Sequence, residues 1–248
     1  MIAQSPSSPI IVALDVSSRL SALALAHQLD PAVCRLKIGK ELFTAEGPQM
    51  IKAIHDLNFA VFLDLKFHDI PVTVAKAVRA AADLGVWMVN VHASGGPHMM
   101  LAAAEALANY QHKPLLIAVT LLTSLSQEEF ATIGGVGSIA DQVLHLAKLS
   151  HQSGLDGVVC SAQEAMAIKR VTASNFLAVT PGIRPENSQA QDQVRIMTPI
   201  AALQQASDYL VIGRPISQAS NPAKACAEIA QSFTHWQQGI CNDSSHHH

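Results

Sequence analysis

Eight short apolar runs recur along the chain, at residues 10–14, 35–38, 61–65, 88–91, 115–119, 157–159, 176–179 and 209–212. They lack the polar alternation of a strand with one wet face, so they read as parallel strands buried on both sides. Between them lie Ala- and Leu-rich stretches with helical spacing, among them 20–29, 74–84, 99–110, 141–152 and 222–236. Strand and helix alternate with no Pro/Ser-rich linker, which argues for one parallel α/β unit. Eight repeats in roughly 230 residues predict a closed (β/α)8 TIM barrel over an open doubly wound sheet. No GxGxxG follows the first run and no P-loop is present, which weakens the nucleotide-binding open-sheet alternative. The expected organisation is a single (β/α)8 barrel domain over residues 1–240, with a C-terminal tail over 241–248.

Composition narrows the picture further. The 248 residues are 49% hydrophobic and 14% charged, enough apolar material for a core of that size. A net charge of -3 gives no electrostatic reason to expect nucleic acid or an anionic membrane as a partner. No apolar run approaches the roughly 20 residues that span a bilayer. The start, Met1-Ile2-Ala3-Gln4-Ser5-Pro6, has neither the basic nor the apolar region of a signal peptide. Cys34, Cys160, Cys226 and Cys241 show no metal-binding spacing and sit in apolar surroundings, which suits reduced thiols and a cytoplasmic location. The closing Ser244-Ser245-His246-His247-His248 reads as part of a purification tag and carries no site argument.

The residues that end the runs carry the chemistry. Asp15 ends the first, Lys37 lies in the second, and the third yields Asp64 and Lys66. Asn90 and His92 follow in the fourth, Thr120 and Thr123 after the fifth, Ser161 after the sixth, and Gly213-Arg214 after the eighth. Barrel enzymes assemble their sites from these C-terminal ends. Residues two apart share a strand face, so Asp64 and Lys66 are expected to point the same way. Asp69 lies just past the strand, before the Pro that opens the next helix. Burying such a cluster costs several kcal/mol per ion unless the geometry is excellent. It is either a structural salt bridge or a catalytic array in which each charge favours its neighbour's ionisation.

The remaining cations suggest a second subsite. Arg214 follows Val211-Ile212-Gly213, and loops after the seventh and eighth strands form the recurrent phosphate cup of these barrels. A guanidinium there suits bidentate phosphate contact, against the alternative of a rim salt bridge. The polar stretch 184–193 is long for a βα loop and reads as a lid, or else as a surface loop. His68 and His92 could be bases or hydrogen-bonded scaffolding, and Met99-Met100 fits helix packing. Neither histidine makes a convincing metal site with the acids, each of which has a lysine nearby. A phosphorylated small molecule with its reacting carbon over Lys66 is the ligand these features suggest.

These residues also resemble a known family. The array Asp64-x-Lys66-x-x-Asp69-Ile70-Pro71 is similar to the pattern of the orotidine 5'-phosphate decarboxylase family, bacterial branch. So are Ala13-Leu14-Asp15, Leu36-Lys37-Ile38-Gly39, Val89-Asn90-Val91-His92-Ala93, Thr120-Leu121-Leu122-Thr123-Ser124, Thr180-Pro181-Gly182-Ile183-Arg184 and Ile212-Gly213-Arg214-Pro215, in order over residues 9–235. The resemblance implies a cytoplasmic homodimer that converts orotidine 5'-monophosphate to UMP and CO2 with no metal or organic cofactor. It implies Lys66 as proton donor to C6, Asp64 beside the substrate carboxylate, and Asp69 reaching the neighbouring subunit's site. It further implies that Lys37 bridges Asp64 and the ribose, and that Asp15 binds a ribose hydroxyl. Thr73 and Thr123 would contact the ligand, while Arg184, Gln193, Gly213 and Arg214 would hold its phosphate. The nearest rivals are a Mg²⁺-dependent sugar-phosphate decarboxylase of the same superfamily and a non-catalytic phosphometabolite-binding barrel.

Overall fold

The structure, a computed structural model, describes residues 8–185 and 197–244, with side chains up to Trp236. Eight strands form one closed barrel in chain order. They are β1 (Ile10–Ala13), β2 (Arg35–Gly39), β3 (Val61–Phe67), β4 (Met88–His92), β5 (Leu115–Val119), β6 (Gly157–Val159), β7 (Leu177–Thr180) and β8 (Tyr209–Ile212). Every pairing is parallel, and the ring closes where Ile11 of β1 lies opposite Val211 of β8. The helices are α1 (Arg19–Ala26), α2 (Lys40–Glu46), α3 (Pro48–His55), α4 (Pro71–Asp83), α5 (Pro97–Leu107), α6 (Gln127–Thr132), α7 (Ile139–Gln152), α8 (Ala162–Val171), α9 (Pro199–Gln204), α10 (Arg214–Ser217) and α11 (Pro222–Ser244). The predicted (β/α)8 class is the observed one. Several short helices (α2, α3, α6, α9 and α10) escape the hydrophobic pattern because their few turns carry little periodicity. Among the described residues, no helix is long and apolar enough to cross a membrane.

Strand alternation sorts the core into two layers. Ile10, Val12, Leu36, Ile38, Val61, Leu63, Val89 and Val91 point outward and pack with the helices. The intervening Ile11, Ala13, Phe62, Met88, Ile117, Val179 and Val211 fill the barrel interior. This is why the strand sequences look uniformly apolar: both faces meet hydrocarbon. At the N-terminal end of the barrel the Arg35 guanidinium lies 4.5 Å from the Trp87 ring centre and 5.1 Å from that of Tyr209. The two rings meet edge-on, and Arg35 also donates to the Ser8 carbonyl at 2.9 Å. A cation held between aromatic faces closes the bottom of the barrel. Going upward, each strand therefore runs from this plug, through a layer of hydrocarbon, to polar residues at the top.

Close packing within the ring leaves no spare room at Gly157 of β6. A Cβ there would run into the carbonyl oxygen and Cβ of Leu177 on the adjacent β7. Gly157→Ala should therefore lower the unfolding free energy by about 1–3 kcal/mol through overpacking. Equilibrium urea unfolding measures this, and an unchanged midpoint would contradict the packing described.

Candidate active site

At the top of the barrel, β1, β2 and β3 bring four charged side chains into a row. Lys37 Nζ sits 3.2 Å from Asp15 Oδ1 and 3.3 Å from Asp64 Oδ2. Lys66 Nζ lies 2.5 Å from Asp64 Oδ1. The signs alternate along the row, Asp15, Lys37, Asp64, Lys66. The middle of the row is dry and Asp15 is its wettest member: the Asp15 side chain is 61% exposed, those of Lys37 and Asp64 are 10% and 12% exposed, and that of Lys66 is 25% exposed. Asp15, Lys37, Asp64 and Lys66 are thus in direct contact, whereas Asp69, predicted alongside them, is not part of the row.

The local backbone that achieves this is not a regular strand. Leu63 pairs with Val89 and Phe67 with Val91, so a step of four residues on β3 faces a step of two on β4. The bulge spans 64–66, and Lys66 adopts φ 54, in the left-handed region. For a long side chain this conformation is costly and needs support from its surroundings. Asn90 of β4 supplies it: the Lys66 amide N–H donates to Asn90 Oδ1 at 2.8 Å. The same carboxamide donates from Nδ2 to Asp64 Oδ1 at 2.7 Å. Asp64 and Lys66 do point toward one another, as alternation leads one to expect. They do so through a bulge and a left-handed residue, however, and these leave no mark in the hydrophobic pattern. Asn90 appears in the sequence only as one of several polar residues near strand ends. A primary amide inside a strand buried on both faces was the signal for it, since such a group must find partners.

The electrostatics follow from these contacts. For Asp64, burial alone would raise the carboxyl pKa, but the charges of Lys37 and Lys66 and hydrogen bonds from Lys66 and Asn90 hold it below the usual range. For Lys37, burial works against the ammonium, yet Asp64 and Asp15 keep its pKa above the ordinary lysine value. Both groups are therefore ionised at neutral pH, which preserves a fixed, alternating field in a site with little water.

Next to the array a cavity of about 390 Å³ opens between β1, β2 and the ends of β7 and β8. Asp15 and Lys37 line one side, and Gly182, Arg184, Gly213 and Arg214 line the other. Gly182 takes φ 77, a conformation that permits the sharp turn after Pro181 and suits glycine. Arg184 is 8% exposed, and Arg214 opens α10 directly after Gly213. The expected anion cup thus shares one cavity with Asp15 and Lys37, and Lys37 in turn touches Asp64. Gln193 and the lid reading of 184–193 from residue 186 onward lie outside the described residues.

Other candidates stand apart from the row. Thr123 is half-buried in the loop after β5, and Thr73 is exposed in the first turn of α4. Asp69 is exposed, and among the described residues its contact is the Ile70 amide N–H, which donates to Oδ1 at 2.6 Å. It makes no ion pair with Lys66 or Lys37. His92 and His68 lie beside the row with ring centres 5.5 Å apart.

Comparison with known proteins places the chain in a family. Residues 8–229 match the model of the orotidine 5'-phosphate decarboxylase / HUMPS family. The orotidine 5'-phosphate decarboxylase of Saccharophagus degradans is 58% identical over 225 residues, 91% of this chain and 94% of that protein. The enzyme of the same name from Pectobacterium carotovorum subsp. carotovorum is 57% identical over 231 residues, 93% of this chain and 94% of the relative. The crystal structure of orotidine 5'-phosphate decarboxylase from Lactobacillus acidophilus superposes with a TM-score of 0.81 at 38% identity, covering 93% of this chain and 99% of that one. With the match extending over nearly all of the barrel and every segment of the charged row, the chain belongs to the orotidine 5'-phosphate decarboxylase / HUMPS family.

Proposed function

We propose that the protein decarboxylates orotidine 5'-monophosphate to UMP and CO2, the last step of de novo pyrimidine synthesis. The observation that carries this reading is that the cavity lined by Arg184, Gly213 and Arg214 also takes in Asp15 and Lys37, from which the row runs on through Asp64 to Lys66. A nucleoside monophosphate has an anion at one end, ribose hydroxyls in the middle and a reactive base at the other, in the order these groups would meet. In this assignment Arg184, Arg214 and the Gly213 backbone hold the phosphate, with Gln193 joining them. Asp15 and Lys37 take the ribose hydroxyls, and Thr123 and Thr73 contact the ligand at its margins.

The chemistry follows from charge. Breaking the bond from C6 to the carboxylate carbon releases CO2 and leaves the electron pair on C6, with no adjacent π system to spread it. The Lys66 ammonium stabilises that developing charge and donates its proton to C6, giving UMP and a neutral amine that water reprotonates. A fixed ammonium in a dry, preorganised site stabilises such charge more than it would in water. Asp64, anchored by three donors, sits where the substrate carboxylate must lie and repels it until CO2 leaves. His92 is a poor rival as proton donor: burial, with His68, Lys40 and Lys66 nearby, outweighs Asp64 and lowers its pKa to about 4. Its imidazole is neutral at the pH where the enzyme would work.

The dimer belongs to the same proposal. Asp69 is turned away from its own row, and beside it Ile70 and Val72 are 62% and 54% exposed. Apolar side chains flanking an unused acid suit a face covered by a second copy, with Asp69 completing the partner's site. A cytoplasmic location is likewise proposed, in keeping with Cys34, Cys160 and Cys226 as buried free thiols.

Four measurements test these statements. Purified protein should consume orotidine 5'-monophosphate, followed by its ultraviolet absorbance, at the same rate with and without EDTA. Lys66→Ala should lower kcat by about 10⁴-fold or more, losing both charge stabilisation and proton donor; activity within tenfold of wild type would remove Lys66 from its role. Loss of activity in EDTA would favour the Mg²⁺-dependent sugar-phosphate reading instead. Mixing Asp69→Ala with Lys66→Ala subunits should restore up to about a quarter of wild-type activity, since half of randomly assorted dimers carry one intact site. No recovery after verified subunit exchange would mean that sites are not shared. In an NMR titration the His92 ring should stay neutral down to about pH 5, below the ordinary histidine range; a midpoint near 6.5 would contradict the environment described.

A further inference from the structure

We propose that Asn90 is a positioning residue for the decarboxylation, a carboxamide clamp that fixes Asp64 and the backbone of Lys66 in one register. Three observations carry it. Asn90 is fully buried, and both ends of its amide are used, Oδ1 by the Lys66 N–H at 2.8 Å and Nδ2 by Asp64 Oδ1 at 2.7 Å. The two bonds land on either side of Leu65, within the bulge between Leu63 and Phe67. The residue they hold is the one with φ 54, where a lysine does not settle unaided. A regular β3–β4 ladder would need no side chain there, because backbone groups would pair with each other. The bulge removes that pairing, and Asn90 replaces it with a single rigid group.

The consequence is geometric. Lys66 reaches its place through a left-handed backbone, so a small change in φ swings the ammonium through a large arc. Misplacing a reacting group by about 1 Å costs on the order of 100-fold in rate. Asn90 constrains both the root of the Lys66 side chain and the carboxylate against which its tip rests. It touches neither reacting atom nor phosphate, so its influence should appear in turnover and little in binding. The inference rests on the decarboxylase reading.

Two substitutions separate the bonds. Asn90→Ala removes both, whereas Asn90→Asp keeps the acceptor for Lys66 N–H and replaces the donor to Asp64 with a second carboxylate. We expect Asn90→Ala to lower kcat by about 10–100-fold, with KM for orotidine 5'-monophosphate and the affinity for UMP within threefold of wild type. Asn90→Asp should also shift the acid limb of the kcat profile upward. Asp64 is faced there by Lys37, Lys66 and Asn90, with Asp15 beyond Lys37 and His92 on β4. An added carboxylate in contact with Asp64 would raise the apparent pKa of the pair. A role in stability alone would lower the unfolding midpoint but leave kcat per folded molecule and the acid limb unchanged, and that result would overturn the proposal. So would a loss expressed in KM with kcat retained. If Asn90→Ala does not fold, Asn90→Asp, with nearly the same shape, decides the question by the same readouts. An inactive wild type would instead sink the decarboxylase reading, whatever the variants do.

Discussion

The constraint on which the rest of this structure depends is a carboxylate that stays charged where there is almost no water. Asp64 sits at the end of an apolar strand, 12% exposed, with Lys37, Lys66 and Asn90 all directed at its two oxygens. Buried ions carry a desolvation cost of several kcal/mol each, and removing one partner of such a pair typically costs 3–5 kcal/mol. The site is therefore stable only as a set. Its donors come from β2, β3 and β4, so those strands must keep a fixed register at their C-terminal ends.

The barrel meets that demand by separating tasks along each strand. Arg35 and Lys37 share a face of β2, two residues apart. One is sandwiched by Trp87 and Tyr209 at the bottom, and the other bridges Asp15 and Asp64 at the top. Between the two levels lies hydrocarbon from β1, β3, β4, β5, β7 and β8. That layer fixes the register and forms the dry floor under the row. Close packing below thus permits strong electrostatics above.

Among the described strand pairs the register shifts at one place, between Leu63 and Phe67. The bulge in β3 and the left-handed Lys66 concentrate strain in the segment proposed to carry the chemistry, where Asn90 holds it. Beyond it the chain turns at Pro71 into α4, leaving Asp69, Ile70 and Val72 on the outside. One short segment thus offers its acid and ammonium inward and its second acid outward. This division is what the proposed sharing of sites between two copies would require.

The sequence by itself determined the eightfold strand–helix rhythm, because strands buried on both faces must be apolar nearly throughout. It also determined which residues could form the charged row, because ions are rare in such strands and stand out at their ends. It left open whether Asp64 and Lys66 form a structural bridge or a reactive array, since spacing fixes a face but not a distance. Alternation puts Arg35 and Lys37 on one side of β2, but the aromatic plug that takes up Arg35 at the bottom of the barrel left no mark in the sequence pattern. The bulge, the φ of Lys66 and the double duty of Asn90 were decided by the tertiary structure alone. They arise from the register between β3 and β4, and register is a property of two strands brought together, 24 residues apart at Lys66 and Asn90.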